Sequence, residues 1–357
     1  MAEVDIGEAR RRAERGPLIL VIRRFVLIAV SFITLSVLSR LLTPEAFGLS
    51  TMAAVILTFG NTIREFGLTK AVMRNAEIDQ AEVSFVFWLN LAITVVVVGA
   101  IILASPFVAD FYSEPIIQWI VIFSAVGLLV RGAGMQHRSM IHRELRFGTL
   151  GTIDVIAVVA ALFVAVTVAI IRQDVWAIVA GTVTQAVTEG ILCFVLSTWK
   201  PDKFAVPKNV KSILGFGFNT LIFSMSNFLS NNISLLLIGR YLGAASLGHF
   251  NRAHNLFLIQ TSNIIQPITQ SALPLLSRLK EQPADYRAAY IGVVSRISLV
   301  LMPVAAILCV APVPITLAIL GDQWEEAGIV LGVLAPSLFA LPFGYPTGDV
   351  LFTQDRT

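Results

Sequence analysis

Ten stretches of about 20 mostly apolar residues, separated by short loops, constrain this chain more than any other feature: 25–42, 46–63, 83–104, 116–134, 152–171, 175–198, 213–238, 247–270, 291–311 and 327–345. A helix of that length crosses a hydrocarbon core of about 30 Å. Lipid offers the backbone no hydrogen-bond partner, so such segments cross as helices, which satisfy their own N–H and C=O groups. A β-barrel strand alternates apolar and polar residues, and VVVVGAIILA at 95–104 alternates nothing. Charged residues make up only 14% of the chain and mean hydropathy is +0.80. A soluble domain carries about 25% charged residues. The expectation is an all-α integral membrane protein.

Charge sets the orientation. With the N-terminus inside, the ten spans place all but four of the 26 Lys and Arg residues on the cytoplasmic side. The four are Arg40, Arg172 and Arg240 outside, and Arg252 within a span. This asymmetry is the positive-inside rule, and it accounts for the basic net charge without nucleic acid as a partner. Arg10, Arg11, Arg12 and Arg15 precede an apolar stretch, as in a secretory signal. That stretch is too long, is interrupted by Arg23 and Arg24, and lacks a small-residue cleavage site. Residues 1–24 read instead as a basic helix on the cytoplasmic membrane surface, feeding an uncleaved first span.

Catalytic chemistry leaves no trace. Cys193 and Cys309 both fall within spans and read as small packing residues, and the four histidines lack metal-ligand spacing. Neither a Walker-type phosphate loop nor a GxSxG motif occurs. The chain is expected to be no enzyme and no ATP-driven pump, and to need no cofactor or metal.

An internal repeat organises the spans. RLLTPEAFG at 40–48 recurs as RYLGAASLG at 240–248, with Arg, Leu and Gly at matching places. LASP at 103–106 recurs loosely as VAP at 310–312, and each is followed by an acidic-aromatic loop, FYSEP at 111–115 and GDQWEE at 321–326. An offset near 200 residues spans six helices, an even number, so both copies run the same way across the membrane. The expected architecture is a bundle of two six-helix lobes around a central cavity: 25–198, a cytoplasmic linker at 199–212, and 213–357. By this reckoning the second lobe holds four helices, and the chain stops two short of a complete one.

Polar residues within spans are costly and tend to face an interior cavity. The seventh span carries Asn219, Ser226, Asn227, Ser230, Asn231 and Ser234 on one side, against Leu221, Met225, Phe228, Leu229 and Leu236 on the other. The eighth carries Arg252, Asn255, Ser262, Asn263, Gln266 and Gln270, with Pro267 as a bend near its inner end. The functional reading is a hydrophilic cavity wall with a cationic group, suited to an anionic or sugar-bearing ligand. The plainer reading is that the amides join helices, as polar residues often do in membranes. Arg40 and Arg240 sit at helix ends, where snorkelling to the interface explains them equally well. Arg64 and Glu65 read either as a local ion pair or as functional groups. Glu189, deeper in the sixth span, reads as a proton or sodium site without an identified partner, and Asp154 as a solvated interfacial group.

Several stretches resemble a known family. SRLLTPEAFGL at 39–49, EFGLTKAVMRNAEID at 65–79, FWLNL at 87–91 and FYSEP at 111–115 are similar to the polysaccharide-transporter family of bacterial flippases. So are MIHRELRF at 140–147, LGHFNRAHNL at 247–256 and LPLLSRL at 273–279. That family shares a superfamily with multidrug/toxin extruders and the flippase for the lipid-linked peptidoglycan precursor. The resemblance implies a MATE-like fold and alternating-access transport of an undecaprenyl-diphosphate-linked oligosaccharide. The setting would be a bacterial inner membrane, in O-antigen, capsule or exopolysaccharide synthesis. Its implied partners are membrane lipids, the lipid-linked oligosaccharide, and polysaccharide polymerase and export machinery. Arg252, Arg40 and Arg64 would counter the diphosphate, because a guanidinium donates two parallel hydrogen bonds. Asn255, Asn263, Gln266, Asn219 and Asn227 would line the cavity.

Ten spans are fewer than the family's usual twelve or more. The alternatives are a cation-coupled multidrug extruder of the same architecture, with Glu189 as its acidic group, and a partner-dependent protein that does not transport. A membrane-embedded polymerase or ligase would require larger external loops than this chain has.

Overall fold

The computed structural model describes residues 6–65, 80–204, 210–260, 264–280 and 282–344, and within these the side chains outside 6–22, 65, 210–220 and 260. Among the described residues the chain is helical and contains no strand. The helices are α1 (Ile6–Leu41), α2 (Pro44–Glu65), α3 (Gln80–Tyr112), α4 (Ile116–Arg143), α5 (Phe147–Arg172) and α6 (Trp176–Leu196). There follow α7 (Val210–Gln260), α8 (Gln266–Arg278), α9 (Pro283–Val310), α10 (Pro312–Leu320) and α11 (Glu325–Leu334). Among the described residues, eight helices are long and apolar enough to cross a membrane: α1 from Arg23, α2 to α6, α7 and α9. Their outward faces carry large apolar side chains, such as Leu103 at 78% exposed and Phe107 at 76%, a surface that lipid can cover.

Three features depart from the sequence expectations. The surface helix and first span form one unbroken helix, α1, with no interruption at residue 24. The expected seventh span and the first part of the eighth, 247–260, lie in one element, α7, and join through a kink at Gly243. Gly243 has φ 82 and ψ 179, a backbone region in which a side chain would be strained, so one glycine makes the turn. Over the described part of the expected tenth span, 327–344, the chain forms the short helix Glu325–Leu334 and a 3-10 stretch, Ala335–Phe339, that holds Pro336, neither of span length, and the short helix Pro312–Leu320 precedes them. Trp324, fully buried, anchors that series, and Gly328 packs its backbone against Val313.

The repeat motif survives as geometry. In the first copy the helix breaks between Leu41 and Pro44, where Thr43 Oγ1 accepts the Ala46 N–H at 3.3 Å as an N-cap. Thr43 and Gly243 hold the same place in the two copies, so both breaks fall at the same motif position. The copies also touch. A Cβ on Gly48 would lie 1.7 Å from the Ala244 carbonyl oxygen, a contact only glycine permits. Beside it, Arg240 Nη1 donates to Ser113 Oγ at 3.1 Å, and its guanidinium lies over the Phe111 ring.

The chain divides into two compact units, Met1–Leu247 and Gly248–Thr357, with the division inside α7. In the first unit α4 packs on both α3 and α6, and α5 packs on α1 and α6. The start of the linker is fastened to the first turns of α3. Trp88 Nε1 donates to the Asp202 carbonyl and Trp199 Nε1 to Gln80 Oε1, each at 2.9 Å, and the Asp202 N–H donates to Ser84 Oγ. In the second unit Ile297, Leu301 and Ala305 form the buried stripe of α9.

Candidate functional site

Small residues determine where charge gathers. A Cβ on Gly134 of α4 would lie 2.9 Å from Gly190 Cα on α6, and one on Gly190 would lie 2.7 Å from the Val130 carbonyl oxygen. Paired glycines let the two backbones nearly touch, the usual route to close helix packing in lipid. The residue before Gly190 is Glu189, and this approach sets its carboxylate between Arg131 and Arg138, one turn before and one turn after Gly134. Arg131 Nη2 lies 2.8 Å from Glu189 Oε2, and Arg138 Nη1 lies 3.0 Å from Glu189 Oε1.

The network continues behind α4. Arg138 donates to both oxygens of Asp154 on α5, at 2.7 and 3.2 Å, and Arg23 on α1 pairs with the same carboxylate. Asp154 is therefore a doubly paired, nearly buried group and not the solvated interfacial one expected. Its side chain is 12% exposed. Glu189 likewise has partners that the sequence alone does not identify, and both its oxygens are held by guanidiniums where a proton or sodium ion would have to bind.

A cavity of about 310 Å³ opens on this network between α2, α4 and α6, lined by Arg64, Arg131, Arg138 and Glu189 together with Asn61 and Met135. Arg64 is 3% exposed, donates through Nε and Nη2 to Asn61 Oδ1 at 3.2 and 2.6 Å, and approaches Met135 Sδ at 3.3 Å. A second cavity of about 270 Å³ shares Asn61 and Arg131 with the first and continues between the same three helices, past Ser50, Thr58, Ser124 and Thr182. Among the described residues of the cluster, the guanidiniums of Arg23, Arg131 and Arg138 pair with the carboxylates of Asp154 and Glu189, and Arg64 joins Arg131 and Arg138 in the cavity wall.

The residues expected from sequence divide accordingly. Arg64 and Glu189 meet in one cavity. Arg40 is exposed in the last turn of α1. Asn227 is exposed on α7, as are Ser230, Asn231 and the hydroxyl-bearing Ser226 and Ser234 in part, while Phe228 is buried against Phe59 with ring centroids 5.3 Å apart and Leu229, expected on the apolar side, is 53% exposed. In the second unit Arg252 is half-buried, and Asn255 Nδ2 donates to Asn251 Oδ1 at 2.9 Å. Gln266 is exposed and opens α8, with Pro267 next to it in the first turn, and residues 261–263 before it lie outside the described residues. Asn263, the side chains of Asn219 and Glu65, and most of 65–79 lie outside the described residues. Sequence reasoning missed Arg131, Arg138 and Asn61. The signal was available: Arg131 and Arg138 are seven residues apart, so both face one side of α4. Among the described residues no group of His, Cys, Asp or Glu is placed to hold a metal ion.

Residues 37–328 match the sequence profile of the polysaccharide biosynthesis protein family. The chain belongs to that family. It is 24% identical over 337 residues to the lipopolysaccharide biosynthesis protein WzxC of Escherichia coli K12, covering 93% of this chain and 68% of that protein. It is 26% identical over 303 residues to the teichuronic acid biosynthesis protein TuaB of Bacillus subtilis 168, covering 84% and 62%. The chain thus spans about two thirds of the length of these relatives. Its fold matches that of the lipid II flippase MurJ in an inward closed conformation, with TM-score 0.74 at 10% identity over 95% of this chain and 77% of that one. It also matches an inward-facing MATE multidrug transporter, with TM-score 0.62 at 14% identity over 96% and 85%. This is a multi-pass membrane protein with a MATE-like transporter fold, from the polysaccharide biosynthesis protein family.

Proposed function

We propose that the chain moves a diphosphate-linked oligosaccharide lipid across a bacterial inner membrane by alternating access, for O-antigen, capsule or exopolysaccharide synthesis. The observation that carries this reading is the cavity between α2, α4 and α6, set within apolar helices and lined by three arginines, Arg64, Arg131 and Arg138. A diphosphate diester carries two negative charges. Guanidiniums match its oxygens with paired, charge-assisted hydrogen bonds, and a cavity inside the bundle hides it from hydrocarbon while the polyprenyl tail stays in lipid. Volumes of about 310 and 270 Å³ suit the diphosphate. The sugars are assigned to the polar residues of α7 and α8, namely Asn219, Asn227, Asn255, Asn263 and Gln266, with Arg252 and Arg40 as further cationic groups. The basic loops support a cytoplasmic N-terminus. The polymerase and export machinery would take the product on the far side.

The extruder reading finds less support. Its one acidic candidate, Glu189, has a guanidinium on each oxygen, and a cationic drug or coupling ion would have to displace both.

Complementation tests the proposal. The 357-residue chain, and separately a form lengthened with the C-terminal part of the E. coli relative, are expressed in a bacterium lacking its own oligosaccharide flippase, and surface polysaccharide is assayed. Rescue by either form supports the function. Failure of both, with protein present in the membrane, overturns it.

A further inference from the structure

Two carboxylates share the arginines, yet they stand in different positions. Asp154 lies behind α4, held by Arg23 and Arg138, and does not line the cavity. Glu189 does line it, with its side chain 16% exposed, and it spreads its oxygens over two guanidiniums as a phosphate would. One of its partners, Arg131, is 44% exposed, so the outer half of the pair can be reached from the cavity and exchanged. Donor directions matter here as much as net charge. With Glu189 in place, N–H groups of Arg131 and Arg138 that point into the cavity are already taken, and a bound phosphate has to take them over.

We propose that Glu189 is an internal counter-anion, a positioning residue that occupies the arginine site when no substrate is bound, yields it to a diphosphate, and reclaims it to drive release. This rests on the flippase reading and deepens it. The device does two things. It keeps two guanidiniums paired inside the membrane during the empty return step, where an unpaired charge is costly. It also sets a threshold: a ligand with two linked phosphates can take both arginines together, whereas a single phosphate contests them against a carboxylate that is permanently tethered nearby. The site is thereby selective for diphosphate over monophosphate, and Glu189 is part of the reason.

The test uses the purified full chain in lipid nanodiscs, titrated with inorganic pyrophosphate and, separately, with inorganic phosphate. Removing one like charge beside the bound anion in Glu189→Gln is expected to tighten both, by roughly tenfold for phosphate and less for pyrophosphate, so that selectivity falls. Glu189→Asp, one methylene shorter and still charged, should lie between Gln and wild type. Asp154→Asn, which loosens the far side of the same network, should not tighten either ligand. A merely structural ion pair predicts the reverse for Glu189→Gln, a disordered site and weaker binding. Unchanged or weaker pyrophosphate and phosphate binding in both Glu189 variants overturns the proposal, as does absence of pyrophosphate binding in every form. If the affinities shift as expected while complementation fails, the exchange stands and the flippase reading falls. Complementation without the affinity shift overturns the exchange and leaves the flippase reading standing.

Discussion

Arg138 joins both carboxylates of the network, so it is the residue whose loss best separates fastening from function. Arg138→Leu removes three contacts of 2.7–3.2 Å, leaving Asp154 to Arg23 and Glu189 to Arg131. An exposed pair contributes up to about 1 kcal/mol, and breaking a buried one costs about 3–5 kcal/mol. Arg138 is 32% exposed and its partners 12% and 16%, which places the loss between these limits, at about 2–3 kcal/mol. That is roughly a 30- to 140-fold change in the unfolding equilibrium. The readout is denaturant titration in detergent micelles followed by tryptophan fluorescence, since Trp88, Trp119, Trp176 and Trp199 all lie in the first unit. Adding Asp154→Asn removes the carboxylate left short of a partner and restores the charge balance. The double variant should recover most of the stability, with a coupling of about 1–2 kcal/mol between the two sites. Export should not recover, because the guanidinium facing the cavity is still missing. An Arg138→Leu/Asp154→Asn chain that exports normally would show the cluster to be helix fastening alone, and would refute the anion-site reasoning at its root.

Two further outcomes follow from neighbouring contacts. Arg64→Ala should abolish surface polysaccharide at an unchanged protein level, with partial return in Arg64→Lys, which keeps the charge but loses the paired geometry; normal export from Arg64→Ala would remove α2 from the site. Gly48→Ala drives a methyl into the Ala244 carbonyl and should lower the unfolding free energy by about 1–3 kcal/mol, whereas Gly148→Ala, with open space around its Cβ position, should leave it unchanged; equal stabilities would mean that the two motif copies do not meet as described.

Much of this fold was legible because lipid imposes so few solutions. Hydropathy alone marked α1 to α6 and α9, since apolar length leaves a helix no alternative in a membrane. The spans also left 239–246 as a junction between the seventh and the eighth, and the kink at Gly243 falls there. At 327–345 hydropathy reports apolar content but not where a helix ends, and the apolar residues continue through the short elements Glu325–Leu334 and Ala335–Phe339.

The site was legible only in part, and the reason is physical. A polar stripe can be read along one helix, so Asn227 and its neighbours stood out. The arginine site is built across three helices, and no single one of them carries a polar stripe: α6 contributes one acid, α2 one arginine, and α4 two arginines near its basic end that the positive-inside rule already explains. What joins them is the Gly134–Gly190 contact, an absence of side chains that hydropathy records as nothing. Glycine pairing was therefore the missing signal. In a bundle where helices pack through small residues, polar groups flanking a glycine on one span and polar groups flanking a glycine on another are candidates for the same cavity. Applied to α4 and α6, that rule brings Arg131 and Arg138 to Glu189, and it does so from sequence spacing alone.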